Sequence, residues 1–68
     1  MIEITLNGDP HQISEGQNLV KLLQELNLDP TKVAIERNLE IVPKTTYQDV
    51  TLLKGDKLEI VHFIGGGK

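Results

Sequence analysis

The 68 residues carry a formal charge of -3 and no cysteine, which bounds the chain to one small domain without disulfides or thiolate metal ligands. The basic residues Lys21, Lys32, Arg37, Lys44, Lys54, Lys57 and Lys68 are scattered, so there is no basic face to neutralise a nucleic-acid backbone. No apolar run reaches the length of a membrane span, and the opening MIEITLNG lacks the basic and apolar regions of a secretory leader, so a soluble cytoplasmic protein is expected.

In chain order, MIEITLNG alternates Ile2, Ile4 and Leu6 with Glu3, Thr5 and Asn7, the period of a half-buried strand. NGDP is a turn signal, because Asn-Gly tolerates the positive φ of tight hairpin turns. HQISEG returns as a short second strand carrying Ile13, which makes the first two strands an antiparallel hairpin. In NLVKLLQELN the period changes. Leu19, Leu22, Leu23 and Leu26 fall at i, i+3, i+4 and i+7, one stripe of an amphipathic helix. Asn18 caps its start through a side-chain oxygen, Asn27 suits a left-handed stop, and Pro30 prevents continuation.

KVAIER reads as a third strand, rich in β-branched residues. A tight turn at Asn38 leads to a fourth strand, NLEIVP, ending at Pro43. KTTYQDVTLLKGD is irregular, with Tyr47 and Val50 expected to dock on the core through a single helical turn. Gly55-Asp56 is a turn, and KLEIVHFI is the last and most apolar strand. The order β-β-α-β-β-β fits an α+β fold in which a mixed sheet of about five strands wraps one main helix, with first and last strands side by side and parallel in the centre. That is the β-grasp, or ubiquitin-like, architecture. Residues 1–64 form the domain and 65–68 a flexible Gly-rich tail. The helix stripe is expected to pack on Ile2, Ile4, Leu6, Ile35, Leu58 and Ile60.

Nucleophilic catalysis needs an activated side chain beside a base. Ser14 is the single serine and sits near a turn; His11 and His62 are the only histidines and fall in separate predicted strands. No third ligand recurs at metal spacing. Glu36 and Glu40 flank a turn as a solvated face. GGGK lacks the following helix that a phosphate-binding glycine loop requires. No active site made of side chains emerges, so the chain is not expected to be an enzyme.

The tail is the remaining reactive element. A terminal carboxylate becomes useful when another enzyme activates it with ATP, and glycine lets the backbone thread a narrow channel. Four residues beyond Ile64 reach at most roughly 13 Å. Glycines at a chain end are also what an ordinary disordered terminus shows. Strand alternation puts Leu58, Ile60, His62 and Ile64 on one face and Lys57, Glu59, Val61 and Phe63 on the other. Val61 and Phe63 thus lie on the outer face just before the glycines, as a docking surface would; burial of the strand on both faces, or cover from a loop of the same chain, is the competing account.

IEITLNG, VAIERNLEIVP and GDKLEIVHFIGGG together resemble the ThiS family, the sulfur carriers of thiamin biosynthesis, over essentially the whole chain. The Gly-Gly end is shared with MoaD-type carriers of molybdopterin synthesis and with ubiquitin-like modifiers, whereas the stretch from Glu36 to Pro43 argues for the thiamin branch. The resemblance implies a β-grasp fold and a carrier acted on by partners. A ubiquitin-activating-enzyme-like adenylyltransferase (ThiF type) uses ATP to adenylate the terminal glycine carboxylate. Sulfur from a persulfide donor replaces AMP, and thiazole synthase (ThiG type) takes it from the resulting thiocarboxylate. No cofactor is stably bound. Gly66 and Gly67 match the terminal pair, with Gly67 bearing the reactive carbonyl behind Gly65, and Val61, Phe63 and Ile64 resemble the docking segment. The chain departs from the family at Lys68, since a peptide-bonded Gly67 has no free carboxylate. A ubiquitin-like interaction module that only binds is the alternative from another class.

Overall fold

The structure, a computed structural model, describes residues 1–62. The strands are β1 (Ile2–Leu6), β2 (Asp9–Ile13), β3 (Val33–Arg37), β4 (Glu40–Ile41) and β5 (Lys57–His62), and the helix α1 spans Leu19–Glu25. They form one mixed sheet in the order β2-β1-β5-β3-β4. β1 and β5 run parallel, with Thr5 opposite Lys57 and Leu6 opposite Leu58. The remaining pairs are antiparallel. This is the β-grasp arrangement expected from the order of the elements.

Two tight turns set the register. Asn7 and Gly8 close the first hairpin with φ of 50° and 88°, so the turn holds two residues, and Asp9 and Pro10 already belong to β2. The second strand therefore begins before His11, where the sequence had placed it. Pro10 lies on the sheet edge, where a missing N–H costs no ladder bond. Asn38 and Leu39 close the β3–β4 hairpin, also with both φ positive, at 53° and 71°. Asn suits that region, but a leucine there brings its Cβ against the backbone. Leu39 is 80% exposed, so burial does not compensate.

The helix begins where Asn18 accepts the Lys21 N–H at 2.9 Å and ends just before Asn27, which turns left-handed at φ 58°. Pro30 does more than stop it. With Asp29 as cap it opens a 3-10 turn, Pro30–Lys32, that leads into β3. A second 3-10 segment, Lys44–Asp49, carries Tyr47 into the core, and the Lys44 ammonium donates to the Val33 carbonyl.

Leu19, Leu22 and Leu23 are fully buried against Ile4, Ile13, Val33, Ile35 and Leu58. Leu26, at the helix end, is only partly buried, as are Ile2, Leu6, Val50 and Ile60 at the margin. Leu52 completes the core from an irregular segment, and Val42 does so just past β4, which spans only Glu40–Ile41 and not the whole of NLEIVP to Pro43, because Asn38 and Leu39 are taken up by the turn.

Candidate functional site

The candidate site is the end of β5 from which the glycine run continues. β5 is central and apolar on its inner face: Leu58 is buried and Ile60 packs against the core margin. Its far half is held mainly by β3, with Ile35 opposite Ile60, Ala34 opposite Val61 and Val33 opposite His62. On its other flank β1 pairs no further than Leu6 with Leu58, because the chain turns away at Asn7.

The side chain of Asn7 takes over there. Ile60 donates its N–H to Asn7 Oδ1 at 2.7 Å, and Asn7 Nδ2 donates to the Ile60 carbonyl at 3.3 Å. The backbone N–H of Asn7 donates to the Leu58 carbonyl at 2.9 Å. A side-chain amide thus adds one further rung to a parallel ladder after the strand itself has ended.

The start of β5 is anchored by a polar cluster around Asp56, which is 6% exposed. Its carboxylate accepts from Arg37 Nε at 2.9 Å, from Asn38 Nδ2 at 3.2 Å and from the Leu53 N–H at 2.9 Å. Asn38 in turn accepts the Lys57 N–H at 2.9 Å and donates its own N–H to the Lys57 carbonyl at 2.7 Å. Burial alone pushes the Asp56 carboxyl up. The hydrogen bonds from Leu53, Asn38 and Arg37, with the Arg37 charge, outweigh burial and hold it below the usual carboxylate value.

Beside the exit, Asp29 accepts from the Thr31 hydroxyl at 2.7 Å and from the Thr31 N–H at 2.9 Å. These bonds hold its carboxyl below the ordinary range, with smaller help from the charges of Lys32 and His62. On the outer face, Val61 is 59% exposed and Ile41 67%. Ala34 lies opposite Val61, and Glu36 faces Glu59 directly across β3 and β5. Two like charges in that position repel, so the outer face is acidic between its apolar patches.

Of the docking residues expected from the sequence, Val61 stands on this outer face, uncovered by any loop of the described residues. Phe63, Ile64, Gly65, Gly66, Gly67 and Lys68 lie outside the described residues. His11 sits on β2, opposite Ile4, and β1 separates it from His62 on β5. Ser14 is exposed and precedes the Glu15-Gly16 turn. Among the described residues, no three His, Asp or Glu side chains could hold a metal ion together, and no helix is long and apolar enough to cross a membrane. A groove of about 580 Å³ runs between Ile2, Gly16, Leu52 and Leu53. It lies at the N-terminal end of β1, opposite the exit of the parallel β5.

Sequence reasoning missed Asn7 as anything beyond a turn former, and missed the Arg37–Asp56–Asn38 cluster. Asn38 and Asp56 lie 18 residues apart, and no local spacing links them. Asn7 carried no signal of its second role, because Asn-Gly is the favoured pair of a two-residue hairpin turn and accounts for the residue by itself.

The ThiS family model matches residues 4–67. A thiazole synthase of Paramagnetospirillum magneticum is 52% identical over 66 residues, covering 97% of this chain and 20% of that protein. A second thiazole synthase, from Magnetococcus marinus, is 48% identical over 67 residues and 21% of its length. The chain thus spans about a fifth of these relatives. The sulfur carrier protein ThiS of Bacillus subtilis is 48% identical over 65 residues, covering 94% of this chain and 98% of that one. The crystal structure of ThiS from Geobacter metallireducens superposes with a TM-score of 0.83 at 30% identity, covering 97% of this chain and 100% of that chain.

Proposed function

This chain belongs to the ThiS family, and we propose that it is a sulfur carrier for thiamin biosynthesis, charged at the carbonyl of Gly67. The observation that carries the reading is the extent of the family match, which runs from β1 through the glycines to residue 67. The likeness in full length to the Bacillus subtilis sulfur carrier supports it. The thiazole synthase relatives favour thiamin over molybdopterin synthesis and support a thiazole synthase as the sulfur acceptor.

The proposed chemistry uses this chain as substrate. A ThiF-type adenylyltransferase joins the Gly67 carboxylate to the α-phosphorus of ATP, and pyrophosphate leaves. The outer sulfur of a persulfide donor then attacks the acyl-adenylate carbonyl and AMP leaves. A thiol cleaves the S–S bond of the resulting acyl disulfide, itself ending in a disulfide, and the thiocarboxylate so released delivers its sulfur to the thiazole ring on a ThiG-type synthase. The chain supplies a rigid sheet as a handle, the exposed Val61 with Phe63 and Ile64 as its docking segment, and glycines without side chains to obstruct a narrow channel. No side chain of its own takes part in bond making, and ATP is bound by the partner.

The chemistry requires a free carboxylate on Gly67, and in this sequence Gly67 is amide-bonded to Lys68. That bond is the observation favouring the second reading, an interaction module of ubiquitin-like fold. The two separate in one experiment. The full chain and a form ending at Gly67 are given the adenylating enzyme, ATP, a persulfide donor and a thiol reductant, and followed by pyrophosphate exchange and intact mass. The carrier reading expects exchange and replacement of terminal oxygen by sulfur only in the form ending at Gly67. If that form is never charged, or if the full chain is charged equally well, the interaction-module reading takes its place.

A further inference from the structure

We infer that Asn7 is a positioning residue for the carrier tail: its side-chain amide clamps Ile60, and so holds in the sheet the strand from which the tail continues. The inference rests on the carrier reading for its purpose, but not for its geometry.

In a sheet, the N–H and C=O of one residue face the same neighbour and those of the next residue face the opposite one. Ile60 presents both groups toward the β1 side, where Asn7 meets both, at 2.7 Å and 3.3 Å. Glu59 and Val61 therefore face β3. Without Asn7, the strand beyond Leu58 would be held on one side alone, since β1 ends its pairing at Leu6. A strand held on one side frays and swings at its end.

The swing matters because Gly67 lies only seven residues beyond Ile60, so this strand end sets the point from which the tail approaches a partner's active site, and misplacement of about 1 Å already slows positioned chemistry strongly. The conformation of Asn7 also isolates its role. At φ 50° glycine is as comfortable as asparagine, so the turn does not need this side chain.

The test uses Asn7→Gly, which keeps the turn and removes the clamp, and Asn7→Asp, which keeps the acceptor for the Ile60 N–H and loses the donor. Amide exchange is measured on the full chain. In Asn7→Gly, the Ile60 amide should exchange about tenfold faster, a larger factor than for any amide of the β1–β2 hairpin, while the urea midpoint falls modestly because two exposed hydrogen bonds are lost. Asn7→Asp should fall between. In the form ending at Gly67, Asn7→Gly should lower kcat for adenylation about tenfold with little change in KM, because docking through the sheet face is intact. A purely structural role would instead accelerate every amide by the same factor, and that result overturns the inference. So does unchanged exchange at Ile60, or full kcat in Asn7→Gly. If wild type ending at Gly67 is itself never charged, the carrier reading fails, and the exchange rates alone then decide whether the clamp exists.

Discussion

Replacing Asp56 should reveal how much of this fold hangs on one carboxylate. Its donors are unequal. Arg37 is partly exposed and Asn38 is exposed, so both can turn to water, and each lost bond costs only about 0.5–1 kcal/mol net. The Leu53 N–H is part-buried, and leaving it unpaired costs about 1–3 kcal/mol. Asp56→Ala should therefore destabilise by about 2–5 kcal/mol, a large share of the total for so small a domain. Asp56→Asn retains one acceptor oxygen and should lose about 1–3 kcal/mol. The difference between wild type and Asp56→Asn should also depend on pH. The folded carboxyl titrates below its unfolded value, so folded protein prefers the ionised form. The stability it contributes is full above the unfolded value, about 3.9, and is lost as the pH falls through the lower folded value. Urea melts of wild type, Asp56→Asn and Asp56→Ala at pH 7, 5, 4 and 3 measure this directly. Equal midpoints for wild type and Asp56→Asn at pH 7, or a gap that fails to narrow below pH 4, would refute the reasoning.

Leu23→Ala should cost about 2–5 kcal/mol in the same melts, the range for emptying a packed leucine site, and no loss would mean that the helix stripe does not bear on the sheet. Leu39→Gly should be neutral or stabilising by up to about 1 kcal/mol, since relief of the left-handed strain exceeds the added entropy of the unfolded chain. Leu39→Ile should destabilise, because a β-branched residue fits positive φ worse still; a melt in which Ile outlasts Gly would contradict the assigned turn.

The features legible in the sequence are those made by neighbours along the chain. The Leu19–Leu22–Leu23 stripe, the Asn18 cap, the left-handed Asn27 and the Asn7-Gly8 turn each depend on a few consecutive residues. The exposure of Val61 followed from simple alternation along β5. Leu52 was not legible, because it enters the core from a segment with no period of its own, and Val42 was placed in a fourth strand longer than the two residues that form it. The second left-handed turn was half visible: Asn38 marked it, but Leu39 is no turn former, and only the closure of β3 on β4 forces its φ. The Asp56 cluster and the Asn7 rung join residues brought together by the central position of β5, so they become visible only once the topology is known. For the candidate site this means that the expected docking face could be named in part from sequence, whereas the groups that hold its strand in place could not.

The adjacency of β1 and β5 has a consequence for how the molecule comes into being. These two strands stand at opposite ends of the described chain, with Thr5 opposite Lys57. Pairings so distant in sequence close late, because a long loop must be ordered before they return any stability. During synthesis, the β1–β2 hairpin and the leucine stripe of α1 emerge first, but the middle of their sheet is missing until Lys57–His62 leaves the ribosome. A chain interrupted before β5 keeps its apolar surfaces open and is matter for proteases and chaperones. Closing the sheet therefore waits on Lys57–His62, the strand that leads straight into the residues after His62.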